Sequence, residues 1–233
     1  MTNETTAAEA ALAREVLPTL RPQGFGKGDP YRVSDPIVEP LWAGVRALAA
    51  VDDREAALVD ADGDSIEGMD TIVEGIASAA QTDGLVVDGF LTKQALQAGG
   101  GIYAWPDEMP SMGRLIGVRR GGAVDPVKLK EQTFQDATFA PDDELSFVAI
   151  DLLWLDGSSL LDVPLLERRR LLESVLSESE VVRHGAYVRP PIETWVASWR
   201  MQGFSGVTFK AANSRYLPGK PNPEWAISGM PRR

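Results

Sequence analysis

The chain has 233 residues, of which 44% are hydrophobic and 24% charged, so it can bury the core of one large domain or two small ones. It contains no cysteine and one histidine, which excludes disulfides, thiolate metal sites and histidine-rich metal sites. The first residues do not form a basic stretch followed by an apolar block, and no run approaches the ~20 apolar residues of a membrane helix. These patterns predict a cytoplasmic protein with no membrane partner.

The charge is uneven along the chain. Residues 1–100 carry 7 Lys or Arg against 17 Asp or Glu, whereas residues 101–233 carry 16 against 17. Residues 201–233 alone are basic, with five Lys or Arg against Glu224. A DNA backbone could therefore be bound only there, and the total charge of -11 disfavours DNA as a partner.

The first half alternates predicted strands with one helix. Residues 7–17 are predicted to form a short helix, and residues 1–36 as a whole an N-terminal arm outside the core, because Gly and Pro are frequent after position 17. Two strands joined by a tight turn at Gly44 are predicted over residues 37–51, and further strands over residues 56–60 and 85–92. Between them, Asp70 is predicted to cap a helix that Gly84 ends. The order of elements in residues 97–143 is left open.

The second half has clearer patterns. The segment "LSFVAIDLLWLDG" predicts a long strand that an Asp-Gly turn closes, and the following helix is predicted to have Asp162 as N-cap. Pro191 is predicted to open another helix, whose two tryptophans pack in the core and which Gly203 ends before the strand "FSGVTFK". The remaining residues are predicted to form a Pro- and Gly-rich loop. Periodicity by itself indicates only a mixed α and β protein.

Five blocks carry a resemblance to a known family. They are "EPLWAGVRAL", "LVVDGFL", "IDLL", "SGVTFK" and "YLPGKPNPEW", and in this order they resemble the adenylation domain of ATP-dependent DNA ligases, especially the bacterial end-joining ligases. The resemblance implies an α+β nucleotidyltransferase fold for residues 37–233, a single domain of antiparallel sheets packed with helices that holds the nucleotide between them. Family ligases continue into an oligonucleotide-binding barrel, which we expect this chain to lack.

The resemblance also identifies the position of the family's nucleophile. In the family motif Lys-x-Asp-Gly-x-Arg, the lysine attacks the α-phosphate of ATP, and Leu41 stands at that position. A leucine side chain has no lone pair to attack with. Ala43 replaces the motif's aspartate, whereas Gly44 and Arg46 match it. No catalytic residue is therefore predicted.

At other family positions, too, this chain lacks the residues that bind the metal or the nucleotide. Phe90 and Ser205 replace the two glutamates that the family uses at its metal, so Mg²⁺ is not expected. Ile150 replaces the aromatic residue that stacks on adenine. An arginine and two lysines of the family correspond to Ala61, Ile227 and Gly229.

We therefore interpret the chain as a ligase-like pseudoenzyme that acts by binding, in DNA repair, either a protein partner or a nucleotide. Glu39, Arg46 and Lys210 survive from the family's site and are the candidate residues for binding ATP or AMP. Two alternatives stay open. One is an active nucleotidyltransferase that uses Lys27, Lys93 or a partner subunit, and the other is a DNA-binding accessory factor that uses residues 201–233.

Overall fold

The computed structural model describes residues 12–93 and 145–230. The open question about residues 97–143 lies outside this range. The described part contains two short 3-10 helices, Leu17–Thr19 and Pro30–Arg32, together with four α-helices and eleven strands. Their bounds are α1 Ala13–Val16, β1 Gly24–Phe25, β2 Pro36–Pro40, β3 Val45–Asp52, β4 Glu55–Asp60, α2 Asp70–Ala79, β5 Gly84–Thr92, β6 Ser146–Leu155, β7 Ser158–Ser159, α3 Leu165–Val175, β8 Val182–His184, α4 Glu193–Met201, β9 Gly206–Ala211, β10 Pro221–Asn222 and β11 Trp225–Gly229.

The larger sheet has six strands in the order β4-β3-β5-β6-β7, with β8 also beside β6. All its pairings are antiparallel except the one between β6 and β8. Both faces are covered, since alternate residues of β3 enter two different hydrophobic clusters. Ala47 and Ala49 pack with residues of α2 and α3, whereas Leu48 and Ala50 pack with the N-terminal segment. This double burial explains why the strand sequences are almost continuously apolar.

The smaller sheet is antiparallel, in the order β11-β9-β2. Strand β11 corrects the predicted C-terminal loop, because Trp225 to Gly229 pair with Lys210 to Gly206. Most of the Gly and Pro residues that suggested a loop, at positions 218, 219, 221 and 223, precede β11, and Gly229 is its last residue. Tertiary pairing with β9 provides the backbone hydrogen bonds that the local sequence did not indicate.

The structure has a helix in each predicted place, although residues 7–11 of the first lie outside the described residues, but four of the helix-end signals were assigned wrongly. The N-cap of α2 is Met69 rather than Asp70, and α4 begins at Glu193 with Ile192 as its N-cap rather than opening at Pro191. Helix α2 begins at Asp70 and ends at Ala79, while Gly84 is the first residue of β5 rather than a C-cap. The N-cap of α3 is Pro164 rather than Asp162. Gly203 does follow α4, with a φ of +90° that suits glycine at a helix end. None of the described helices combines the length and the apolar character that crossing a lipid bilayer requires.

Residues 13–26 of the N-terminal segment contribute side chains to the core, so the prediction that the segment lies outside the core is wrong there, whereas residues 27–35 are exposed or partly buried. Ala13, Leu17 and Leu20 are buried against Leu48 and Val86 of the larger sheet. The Asp52 carboxylate accepts the backbone N–H groups of residues 13 and 14, at 2.8 and 2.7 Å, and so fixes the start of α1. The proposed division of the chain at residue 36 stays a prediction.

Candidate functional site

The position of the family's nucleophilic lysine lies between β2 and β3. Gly44 follows it with a φ of +144°, and a Cβ there would approach the carbonyl oxygen of Leu91 to 2.1 Å, so only glycine fits this turn. The Leu41 side chain is 5% exposed and packs with Ile227 and the partly buried Phe25. Two positions at which the resemblance implies lysines thus form one hydrocarbon contact.

The positions of the metal-binding glutamates are equally changed. Phe90 is buried in a second cluster together with Ile150, so the replaced glutamate and the replaced adenine-stacking residue pack in the same hydrophobic core. Ser205 contributes its backbone oxygen to a hydrogen bond from the Met230 N–H at 2.7 Å. Within residues 12–93 and 145–230, no three His, Cys, Asp or Glu side chains are grouped as metal ligands would be. The side chains at the positions of the two glutamates do not provide the carboxylate oxygens that a Mg²⁺ ion bound to a nucleoside triphosphate needs.

Two of the surviving site residues pair with each other. Lys210 Nζ lies 2.5 Å from Glu39 Oε2, and both side chains are almost fully buried. The ammonium also lies 4.3 Å from the ring centroid of Trp225. Burial lowers the pKa of Lys210, and the Glu39 carboxylate opposes this effect. The second carboxylate oxygen, Oε1, has no hydrogen-bond partner among the described residues.

The third surviving residue, Arg46, is held by the aspartate of the family's Asp-Gly-Glu strand. Its Nε and Nη2 atoms donate to the two carboxylate oxygens of Asp88, each at 2.5 Å. Burial is the largest single effect and favours a lower pKa for Arg46, but the charge and hydrogen bonds of Asp88, with smaller contributions from Tyr216 and Asp151, together make the net shift upward. The Tyr216 hydroxyl donates to Asp88 at 2.7 Å and accepts the backbone N–H of Gln23 at 3.0 Å. The Arg46 guanidinium further lies 4.7 Å from the ring centroid of Phe90.

This network makes the free energy of unfolding depend on pH in the alkaline range. Burial, together with the Asp88 charge, raises the pKa of Tyr216 well above its ordinary value of 10.0. The protonated Tyr216 hydroxyl therefore contributes fully to the free energy of unfolding below pH 10. This contribution is lost as pH rises towards the folded-state pKa, by up to about 1.4 kcal/mol per pH unit. We expect Tyr216→Phe to make urea unfolding less dependent on pH above 10. Tyr31→Phe, at a tyrosine that is 61% exposed, is the control, and equal pH slopes for wild type and Tyr216→Phe would contradict this expectation.

Helix α3 contributes two buried arginines that the sequence analysis did not single out. Arg168 makes a bidentate ion pair with Asp151 at 2.8 Å for both contacts, and Arg169 donates to the backbone oxygens of Ala149 and Gly185. The spacing of these two arginines in the sequence could have indicated that they are buried. The two arginines fall three and four residues after Leu165, on the face of the helix that packs inward.

The lysines of the alternative functions lie at the surface or are already paired. Lys27 and Lys93 are exposed, as is Lys220. In the basic C-terminal segment, Lys210 is buried and Arg215 lies 3.1 Å from Asp162.

Comparisons with known proteins agree with the resemblance. The family model "ATP dependent DNA ligase domain" matches residues 122–226. The DNA ligase of Methanocorpusculum labreanum is 36% identical over 83 residues, which is 32% of this chain and 14% of that protein. The multifunctional non-homologous end joining DNA repair protein LigD of Mycobacterium tuberculosis H37Rv is 33% identical over 84 residues, 36% of this chain and 11% of that protein. The matches thus span about a seventh or less of these relatives.

Solved structures extend the similarity to most of the chain. The ligase domain of M. tuberculosis LigD superposes with a TM-score of 0.62 at 22% identity, and covers 91% of this chain and 60% of that one. A mycobacterial DNA ligase D complexed with ATP and MES gives a TM-score of 0.59, also at 22% identity, with 90% and 60% covered. The predicted fold class is confirmed: the chain has the fold of the ligase domain of LigD, and residues 122–226 match the ATP dependent DNA ligase domain.

Proposed function

We propose that this protein is a ligase-like pseudoenzyme, which does not form lysyl-AMP and acts by binding a partner in DNA repair. The observation that carries the proposal is the contact between Leu41 and Ile227. Both positions require a lysine in the family, and here each side chain buries hydrocarbon against the other. A hydrocarbon offers neither the lone pair that attacks the α-phosphate nor a charge that balances the triphosphate.

The surviving charged residues support binding of a protein rather than a nucleotide. Glu39 is paired with Lys210 and Arg46 with Asp88, in every case with buried side chains. A nucleotide that used these groups would have to break buried ion pairs, which leaves an uncompensated charge in an apolar environment. The same pairs hold β2 to β9 and β3 to β5, so their retention has a structural explanation.

The proposal is tested by adenylyl transfer. The purified protein is incubated with ATP labelled at the α-phosphate, with Mg²⁺ and separately with Mn²⁺, and is then denatured and separated from free nucleotide. We expect no label on the protein, while the ligase domain of M. tuberculosis LigD, as positive control, retains it. Retained label would sink the proposal.

The alternative of a relocated nucleophile has one observation in its favour. Lys27 lies two residues after Phe25, whose ring packs on Leu41. The same labelling experiment decides this alternative, because Lys27→Met and Lys93→Met would each abolish the label if that lysine were the nucleophile. The DNA-binding alternative is tested with nicked duplex at low salt, where a phosphate-binding protein must bind most tightly.

A further inference from the structure

A short segment before β2 lies across the position of the missing lysines. Residues 24 and 25 form β1, which pairs in parallel with β10. The N–H of Gly26 then donates to the Trp225 carbonyl at 2.8 Å. A Cβ at Gly26 would approach the Asn222 oxygen to 2.7 Å and the Pro223 Cα to 2.8 Å, so the backbone can approach this closely only because residue 26 is glycine.

The side chain of Gln23, the first residue of this segment, is also held by hydrogen bonds. Gln23 is 2% exposed, and its Oε1 accepts the Leu217 N–H at 2.8 Å and the Asn222 Nδ2 at 3.1 Å. Its backbone N–H donates to the Tyr216 hydroxyl, which in turn donates to Asp88. One end of the segment is therefore joined by hydrogen bonds to the Arg46–Asp88 pair.

The aromatic side chain of the segment covers the nucleophile position. Phe25 packs on Leu41 and Ile227, and its ring centroid lies 5.8 Å from that of Trp225. In the family, the lysines at these two positions act on the phosphates of ATP. The ring therefore lies against the residues that would otherwise contact the phosphates.

We propose that residues Gln23–Gly26 are an intramolecular clasp that fills the phosphate end of the predicted nucleotide cleft. This inference rests on the proposed function and narrows the choice of partner. If the chain itself closes the cleft, a nucleotide cannot bind there and the partner is a protein. The clasp is a separable unit. It is a two-residue strand that pairs with β10 in a separate two-stranded sheet and packs on the smaller sheet through Phe25, and such peripheral segments open locally without global unfolding.

The absence of cysteine from the chain allows a direct test by thiol labelling. Leu41→Cys places a single thiol under the Phe25 ring, and its rate of reaction with a small alkylating reagent is measured alone and together with Phe25→Ala. Met201→Cys, at a side chain that is 61% exposed, is the accessible control. Ile76→Cys, buried in the separate cluster between α2 and the larger sheet, is the control for global unfolding.

We expect Leu41→Cys to react at least about tenfold more slowly than Met201→Cys, and Phe25→Ala to speed its reaction about tenfold or more without changing that of Ile76→Cys. Equal rates with and without Phe25→Ala would overturn the clasp, and so would a parallel acceleration of Ile76→Cys, which would make the segment an inseparable part of the fold. Adenylyl transfer is read independently. Label on the protein would sink the pseudoenzyme proposal, whereas an accessible thiol would sink only the clasp.

Discussion

Replacing Lys210 by methionine is expected to lower the free energy of unfolding by about 3–5 kcal/mol, because Glu39 would be left as an unpaired buried charge. The pair lies between β2 and β9 with both side chains almost fully buried, so water cannot reach the carboxylate without opening the smaller sheet. Urea unfolding followed by tryptophan fluorescence measures the change, since Trp225 lies directly beside the ammonium.

The matched control removes both charges. Glu39→Leu combined with Lys210→Met is expected to recover most of the lost stability, to within about 1 kcal/mol of the wild type, because a buried ion pair and an apolar pair of similar volume are often equally stable. A loss under about 1 kcal/mol for Lys210→Met alone would contradict the structural role of the pair. The residues would then be better explained by a ligand that uses them.

Restoring the family's lysine is expected to destabilise the fold without restoring adenylyl transfer. Leu41→Lys places an ammonium against Ile227 and Phe25, where the apolar environment disfavours the charged form and lowers the pKa of the new lysine. A lowering by about two pH units corresponds to about 3 kcal/mol of lost stability at pH 7. We also expect no adenylyl transfer, because the two metal-binding glutamates and the second lysine are still absent.

The control for Leu41→Lys is the same substitution at an exposed leucine. Leu12 is 44% exposed, and Leu12→Lys is expected to change the free energy of unfolding by less than about 0.5 kcal/mol. If Leu41→Lys were equally harmless and the variant acquired AMP, one substitution would separate this chain from an active ligase. The account of a cleft rebuilt with apolar side chains would then be wrong.

The sequence predicted the strands and helices that carry strong local patterns. Strands β3, β5 and β6 are long apolar runs bounded by turn residues, and the resemblance identifies the family positions of Leu41 and Phe90 but not the residues that they contact. Local signals failed where tertiary contacts decide. Strand β11 forms because β9 offers its edge, and the N-terminal segment is ordered because Asp52 caps α1 from a distant strand.

The pairing of charges within the site could not be predicted from the sequence. Glu39, Arg46 and Lys210 were identified as surviving residues, but their partners depend on strand register. Lys210 lies opposite Ile37, two residues from Glu39, so the diagonal contact exists only in this register. Phe25 lay in a stretch whose glycines suggested a loop, and its contact with Leu41 depends on the path of the whole N-terminal segment.

The central claim, that the missing lysine has ended adenylyl transfer, is tested most directly by intact-mass spectrometry of the protein as purified and after incubation with ATP and Mg²⁺ or Mn²⁺. We expect the unmodified mass in every sample. A mass increase by one AMP, mapped by peptide fragmentation to Lys27, Lys93 or any other lysine, would contradict it.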